Sequence, residues 1–123
     1  MRAATTLVFA LALACRPGEP ITEAEDAPRV DIHDLRGDLG ERPVIDIRTP
    51  REFAAGHVPG AINIPLERLL ARPDLAPDEA FLVCESGRRS ARAQAALASE
   101  GRRLIDVLGG TAAWRSAGFP LQR

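Results

Sequence analysis

The chain of 123 residues has the length of one domain, and 46% hydrophobic with 27% charged residues is typical of a soluble globular protein. The formal net charge of −1 excludes a strongly basic surface of the kind that binds nucleic acid, so we expect no nucleic-acid partner. Apart from two histidines, every basic side chain is an arginine.

Residues 1–14, "MRAATTLVFALALA", have the pattern of an export signal peptide. Arg2 supplies the positive start, an apolar run follows, and Ala12-Leu13-Ala14 fits the small-x-small cleavage pattern. The run is shorter than the roughly 20 apolar residues that a membrane-spanning helix needs. An apolar first helix of the domain is the alternative, but the proline-rich acidic stretch at 15–27 predicts a linker.

Cys15 directly follows these small residues, as the lipid-modified cysteine does in bacterial lipoprotein signals, although Ala12 stands where leucine is usual. Simple secretion is the competing outcome. We therefore expect export to the periplasm or cell envelope, with Cys15 as the lipidation candidate and that lipid as the only membrane attachment. A lipid on Cys15 would leave Cys84 as the single thiol of the folded domain, residues 28–123.

Short apolar runs alternate with helical stretches along this domain. The predicted strands are 29–32, 44–47, 61–64, 81–84 and 104–108, and the predicted helices are 33–39, 50–56, 66–72, 90–101 and 111–118. Apolar runs bounded by glycine, proline or charged residues are typical of buried parallel strands. The alternation predicts an α/β fold: a mostly parallel five-stranded sheet flanked by helices on both faces.

Two helix ends can be predicted in detail. Thr49, Pro50 and Glu52 form the sequence pattern of a capping box, with proline at the first helical position. Gly101 can take the left-handed conformation that closes the helix after Cys84.

Cys84 ends a predicted strand, where open parallel sheets bind their ligands. The loop "ESGRR" then leads into a helix that we expect to begin near Ser90. Loop N–H groups, the helix N-terminus and the charges of Arg88 and Arg89 all favour the reactive thiolate. The pattern indicates a nucleophilic cysteine in an anion-binding loop, provided that solvent reaches the sulfur and the loop N–H groups face it. The alternative is a small buried hydrophobe.

No base accompanies this cysteine in the sequence. His57 lies in "GHVPG", where a turn is the simpler role, and His33 carries no functional prediction. Neither a metal-ligand cluster nor a phosphate-binding glycine motif occurs, so we expect no metal and no cofactor.

Three ordered motifs resemble the rhodanese family across roughly Val30 to Leu121. "VIDIRTPREFAAGHVPGAINIPL" resembles the N-terminal signature of that family, "CESGRRS" its active-site loop, and "VLGGTAAWRSAGFPL" its C-terminal signature. The resemblance implies a rhodanese-like fold and a sulfurtransferase. Cys84 would attack the outer sulfur of a donor such as thiosulfate or a persulfide and hold it as a persulfide. A thiol or cyanide acceptor would then remove it.

The same resemblance implies roles for the matching residues. Cys84 is the catalytic residue, and the substrate-binding loop is Glu85, Ser86, Gly87, Arg88, Arg89 and Ser90, in which Arg89 is the loop-ending arginine. Asp46, Arg48 and Glu52 match the D-x-R-x-x-x-E pattern. We interpret these three as structural support, with Arg48 available to pair with Glu52. Trp114 is interpreted as a packing residue.

Glu85 directly follows Cys84 and is an unexpected residue beside a nucleophilic cysteine. Its carboxylate disfavours the thiolate and repels a dianionic donor. The effect is small if Glu85 points to solvent; an inward carboxylate would favour a neutral or cationic persulfide donor.

Two other functions remain open. One is a non-catalytic module that senses redox state or binds a partner. The other is a cysteine-loop phosphatase, although those loops place arginine six positions after cysteine, where this chain has Ser90. The sequence leaves the oligomeric state open.

Overall fold

The computed structural model describes residues 27–123, so the predicted signal peptide and the lipidation candidate Cys15 lie outside the described residues. The strands are β1 Arg29–Val30, β2 Val44–Asp46, β3 Ile62–Asn63, β4 Glu79–Val83 and β5 Arg103–Val107. The helices are α1 Ile32–Gly37, α2 Pro50–Ala55, α3 Leu66–Ala71, α4 Arg88–Ala98 and α5 Gly110–Ser116, with a 3-10 turn at Pro73–Leu75.

The five strands form one sheet in the order β1-β5-β4-β2-β3, and all four strand pairs are parallel. This confirms the predicted fold class. The longest strands, β4 and β5, lie side by side, and β4 is central in the sheet. Residues that follow the carboxyl ends of these strands therefore meet at one edge of the sheet.

Helices cover both faces of the sheet. On one face α3 and α4 bury a cluster that includes Leu69, Ala93, Leu97 and Cys84. On the other face the cluster contains Leu35 of α1 and Trp114 of α5. Burial of apolar area on both faces explains why the strands read as nearly continuous apolar runs.

Several predicted boundaries differ from the observed ones, and in two cases a local cap explains the difference. The first strand ends at Val30 because Asp31 caps α1, accepting from the N–H groups of His33 and Asp34 at 2.8 and 2.9 Å. Helix α4 begins at Arg88, two residues earlier than predicted, because Gly87 takes the left-handed conformation (φ 93°) just before it.

The capping box at the start of α2 is confirmed, with Thr49 Oγ1 accepting from the Glu52 N–H and the Glu52 carboxylate accepting from the Thr49 N–H. Gly101 is left-handed (φ 73°), as predicted for the turn after α4. Within residues 27–123, none of the helices is long and apolar enough to cross a membrane.

Candidate active site

Cys84 lies directly after the central strand β4, and backbone N–H groups of the following turn point at its sulfur. The N–H of Gly87 donates to Cys84 Sγ at 3.0 Å, and the N–H of Ser90 donates at 3.4 Å. Gly87 can turn the chain this tightly because it adopts a left-handed conformation. The loop thus surrounds the sulfur with donors that favour a negative charge on it.

The sulfur is enclosed, which contradicts the expectation that solvent reaches it. Cys84 has no exposed surface and belongs to the buried cluster under α3 and α4. The loop side chains of Ser86 and Arg88 are exposed instead. A donor can therefore reach the sulfur only after a local movement of the loop.

Ser90 links the sulfur to a second buried group. Cys84 Sγ donates to Ser90 Oγ at 3.4 Å, and Ser90 Oγ donates to Asp106 Oδ1 and also lies 3.1 Å from Gly87 O. Asp106 is only 2% exposed. Burial raises the pKa of the Asp106 carboxyl above its ordinary value, although the hydrogen bond from Ser90 and the charge of Arg29 oppose this rise.

The start of α5 holds the backbone of the cysteine loop through hydrogen bonds. The N–H groups of Thr111 and Ala112 donate to the carbonyl oxygens of Cys84 and Glu85 at 2.8 and 2.9 Å. A Cβ on Gly110 would overlap the Cys84 carbonyl oxygen, so only glycine permits this approach. Gly110 of the C-terminal motif therefore permits the close contact between α5 and the cysteine loop.

Glu85 turns towards two arginines. Its carboxylate accepts from Arg48 Nη1 at 3.1 Å and from Arg115 Nη1 at 2.8 Å. The hydrogen bond from Arg115 holds the pKa of Glu85 below its ordinary value. Arg48 is fully buried and also pairs with Asp46, at 2.9 Å between Nη2 and Oδ2. These contacts compensate the charge of Glu85 and tie the cysteine loop to β2 and α5.

The predicted pairing of Arg48 with Glu52 was wrong. Glu52 instead forms a bidentate ion pair with Arg89, at 2.9 Å for both oxygens. The hydrogen bond from Arg89 is the main reason that the pKa of Glu52 falls to about 2, and the same bond raises the pKa of Arg89. Arg48 is not available to Glu52, because it donates to Asp46, to Glu85 and to the Gly56 carbonyl oxygen.

Two residues have the structural roles predicted for them. The His57 ring stacks on Phe53, with Nδ1 2.9 Å from the Phe53 carbonyl oxygen, and its backbone pairs with Gln122. Trp114 is buried and donates from Nε1 to Pro120 O at 2.8 Å. Within residues 27–123, no group of three or more histidine, cysteine, aspartate or glutamate side chains could hold a metal ion.

Sequence reasoning missed Asp106 and Arg115. Asp106 left a signal, since a carboxylate inside the apolar run "LIDVL" has to be buried and needs a partner. Nothing in the sequence pointed to Arg115, because its contact with Glu85 joins residues that are 30 positions apart.

Fold and site together define a class: a parallel α/β domain with one cysteine in a donor-lined loop after its central strand. The model of the rhodanese-like domain matches residues 30–117, and the chain belongs to that family.

The chain is also similar to proteins named as sulfurtransferases and to a solved rhodanese-related protein. The chain is 37% identical over 81 residues to a sulfurtransferase from Allochromatium vinosum, covering 63% of this chain and 76% of that protein. It is 34% identical over 103 residues to thiosulfate sulfurtransferase 16 of Arabidopsis thaliana, covering 72% and 84%. A rhodanese-related protein from Thermoplasma volcanium superposes with a TM-score of 0.73 at 29% identity, covering 77% of this chain and 97% of that chain.

Proposed function

We propose that this protein is a sulfurtransferase that moves a sulfane sulfur from a donor such as thiosulfate to a thiol or cyanide acceptor. The observation that carries the proposal is the pair of N–H groups, from Gly87 and Ser90, that donate to the sulfur of Cys84. Membership of the rhodanese-like family and the sulfurtransferases among similar proteins support the same activity.

The transfer has two balanced steps. The Cys84 thiolate attacks the outer sulfur of thiosulfate, a sulfur–sulfur bond to Cys84 forms, and sulfite leaves with the electrons of the broken bond. The acceptor thiolate then attacks the outer sulfur, and the Cys84 thiolate leaves. Covalent catalysis of this kind replaces one difficult transfer with two easier ones, and the two N–H groups stabilise the anionic sulfur in each.

The compensated charge of Glu85 permits an anionic donor. An unpaired carboxylate beside the nucleophile would repel thiosulfate, but the Glu85 carboxylate is held by Arg48 and Arg115. We therefore propose thiosulfate or a persulfide as the donor.

Mass spectrometry tests the proposal. The purified chain is incubated with thiosulfate and weighed intact, beside Cys84→Ser and Cys15→Ser. We expect a gain of one sulfur atom in the wild type and in Cys15→Ser, and no gain in Cys84→Ser. An unchanged mass in all three proteins would contradict the proposal.

The complete burial of Cys84 favours one other function, a non-catalytic module that binds a partner, because an enclosed thiol is screened from sulfur donors and from oxidants alike. A module of this kind predicts no sulfur gain from thiosulfate and no release of sulfite. The same mass measurement therefore separates the two functions.

We also propose export to the periplasm or cell envelope, on the signal-peptide pattern of residues 1–14. Palmitate labelling of the native host separates lipidation of Cys15 from simple secretion. Label that is lost in Cys15→Ser would support the lipid anchor.

A further inference from the structure

Asp106 is a buried carboxyl group that the proposed transfer does not use. It lies within β5, where its register partners are Leu82 on β4 and Arg29 on β1. A charged group in such a position is costly unless it is hydrogen-bonded, and Ser90 is its hydrogen-bonding partner. Ser90 also contacts the sulfur of Cys84, so the carboxyl group is one side chain away from the nucleophile.

We propose that Asp106, acting through the Ser90 hydroxyl, takes up the proton that Cys84 loses when its sulfur becomes a thiolate or a persulfide anion. The thiolate part of this inference stands on the geometry alone, whereas the persulfide part rests on the proposed function. Asp106 does not contact the sulfur itself. It acts on the proton of Cys84 only through the Ser90 hydroxyl.

The proton balance follows the hydrogen bonds. The S–H bond of Cys84 breaks and its proton goes to Ser90 Oγ, while the hydroxyl proton of Ser90 goes to the carboxylate of Asp106. No electron is gained or lost. The group carries one negative charge before and after, and this charge moves from the carboxylate to the sulfur. There it is stabilised by the Gly87 and Ser90 N–H groups.

Burial explains why the two groups share a single charge. Two anions this close in a site without solvent oppose each other, so ionisation of one favours protonation of the other. Burial also raises the pKa of Asp106, which makes its carboxylate a better proton acceptor. Arg29 of β1 opposes this effect from the sheet edge; from α4, Ser90 and the uncharged Gln94 face the same region.

A titration tests the sharing without any sulfur donor. Asp106→Asn keeps the size of the side chain and an oxygen for Ser90, but it cannot take up a proton. Ionisation of Cys84 is followed by thiolate absorbance in the ultraviolet, with Cys84→Ser as the baseline. Because the chain has no tyrosine, tyrosinate absorbance does not interfere.

We expect Cys84 in Asp106→Asn to ionise roughly one pH unit or more below the wild type. In the resting wild type the carboxylate already carries the single charge that the two groups share, whereas the asparagine carries none, so the thiolate of the variant forms without competition for that charge. Asp74→Asn is the matched control, since Asp74 is an exposed carboxylate paired with Arg72. It should titrate like the wild type. Ionisation of the Asp106→Asn variant at an unchanged or higher pH would overturn the proposal.

A proton count tests the persulfide state. Each variant is loaded with thiosulfate at a pH below these ionisations, weighed to confirm the added sulfur, and its proton release is measured with an indicator dye in weak buffer. Asp106→Asn should release about one proton more per persulfide than the wild type, because no carboxylate retains it. The sulfite produced binds the same protons in every variant. Equal release would overturn the proposal.

An infrared measurement on the wild type covers the case in which Asp106→Asn does not fold. The difference spectrum between the persulfide and the reduced protein should gain the band of a protonated carboxyl group, and isotope-labelled aspartate should shift it. Absence of the band would refute the proton uptake. If no protein gains sulfur, the proposed function fails, while the ultraviolet titration still decides the proton sharing.

Discussion

The ion pairs of Glu85 hold the cysteine loop closed over the sulfur, and weakening them should expose Cys84. Glu85 is tied on one side to Arg48, which follows β2, and on the other to Arg115 of α5. Because Cys84 has no exposed surface, an alkylating reagent such as iodoacetamide reacts only with molecules in which the loop has opened. The alkylation rate therefore reports the fraction of open molecules.

The expected change follows from the exposure of the partners. A hydrogen bond to a charged group contributes roughly 1.5–3 kcal/mol. The side chains of Glu85 and Arg115 are 36% and 49% exposed, so solvent reduces their pair to about 1 kcal/mol. Loss of this pair in Arg115→Gln should raise the alkylation rate about fivefold, and Glu85→Gln, which weakens both pairs, should raise it about tenfold.

The two substitutions separate loop opening from simple electrostatics. Removing the negative charge of Glu85 favours the thiolate, whereas removing the positive charge of Arg115 disfavours it. Electrostatics alone thus predicts changes of opposite sign, but loop opening predicts faster alkylation in both variants.

Rates are measured by mass spectrometry on the peptide that contains Cys84, so that alkylation of Cys15 does not interfere. Arg72→Gln is the matched control, because it removes an exposed ion pair away from the loop and should leave the rate unchanged. An Arg115→Gln rate at or below the wild type would refute the reasoning.

Two further predictions concern stability. Arg48→Met leaves the Asp46 carboxylate buried without its partner and should destabilise the fold by about 3–5 kcal/mol, measured by urea unfolding; a loss below about 1 kcal/mol would contradict it. The pKa of Glu52 is lowered from 4.5 to about 2 by Arg89, so the ionised pair stabilises the fold above pH 4.5, and this contribution is lost as the pH falls towards 2. Because the pair is one-third exposed, its contribution is about 1–2 kcal/mol. Glu52→Gln keeps a capping box but should lack this part of the acid dependence; identical pH curves for both proteins would refute it.

The sheet could be predicted from the sequence because each strand is an apolar run between breakers, and parallel pairing follows from the helices between the runs. The exact ends could not, because they depend on caps. Asp31 ends β1 by binding two N–H groups, and a left-handed Gly87 starts α4 early. Both residues are visible in the sequence, but whether an aspartate or glycine caps a helix depends on the path of the chain.

The ion pairs around Cys84 were beyond sequence reasoning for a different reason. Arg48 has acidic residues close by in sequence, and proximity suggested Glu52. In the fold Arg48 pairs with Asp46, two positions away, and with Glu85, 37 positions away, but not with Glu52. Which carboxylate an arginine meets is decided by strand order, since β2 and β4 are neighbours only in the sheet.

These pairings change how the site can favour a thiolate. The sequence suggested that the charges of Arg88 and Arg89 act on the sulfur. Arg88 is exposed, and the charge of Arg89, which does interact with Cys84, is compensated in large part by Glu52, as the charges of Arg48 and Arg115 are by Asp46 and Glu85. The stabilising groups in hydrogen-bond contact with the sulfur are backbone N–H groups, which carry only partial charges and cannot lose their protons. A buried anion held mainly by such dipoles tolerates no second anion nearby. Asp106, one hydroxyl group away, is therefore the carboxyl group whose protonation has to change when the charge of the sulfur changes.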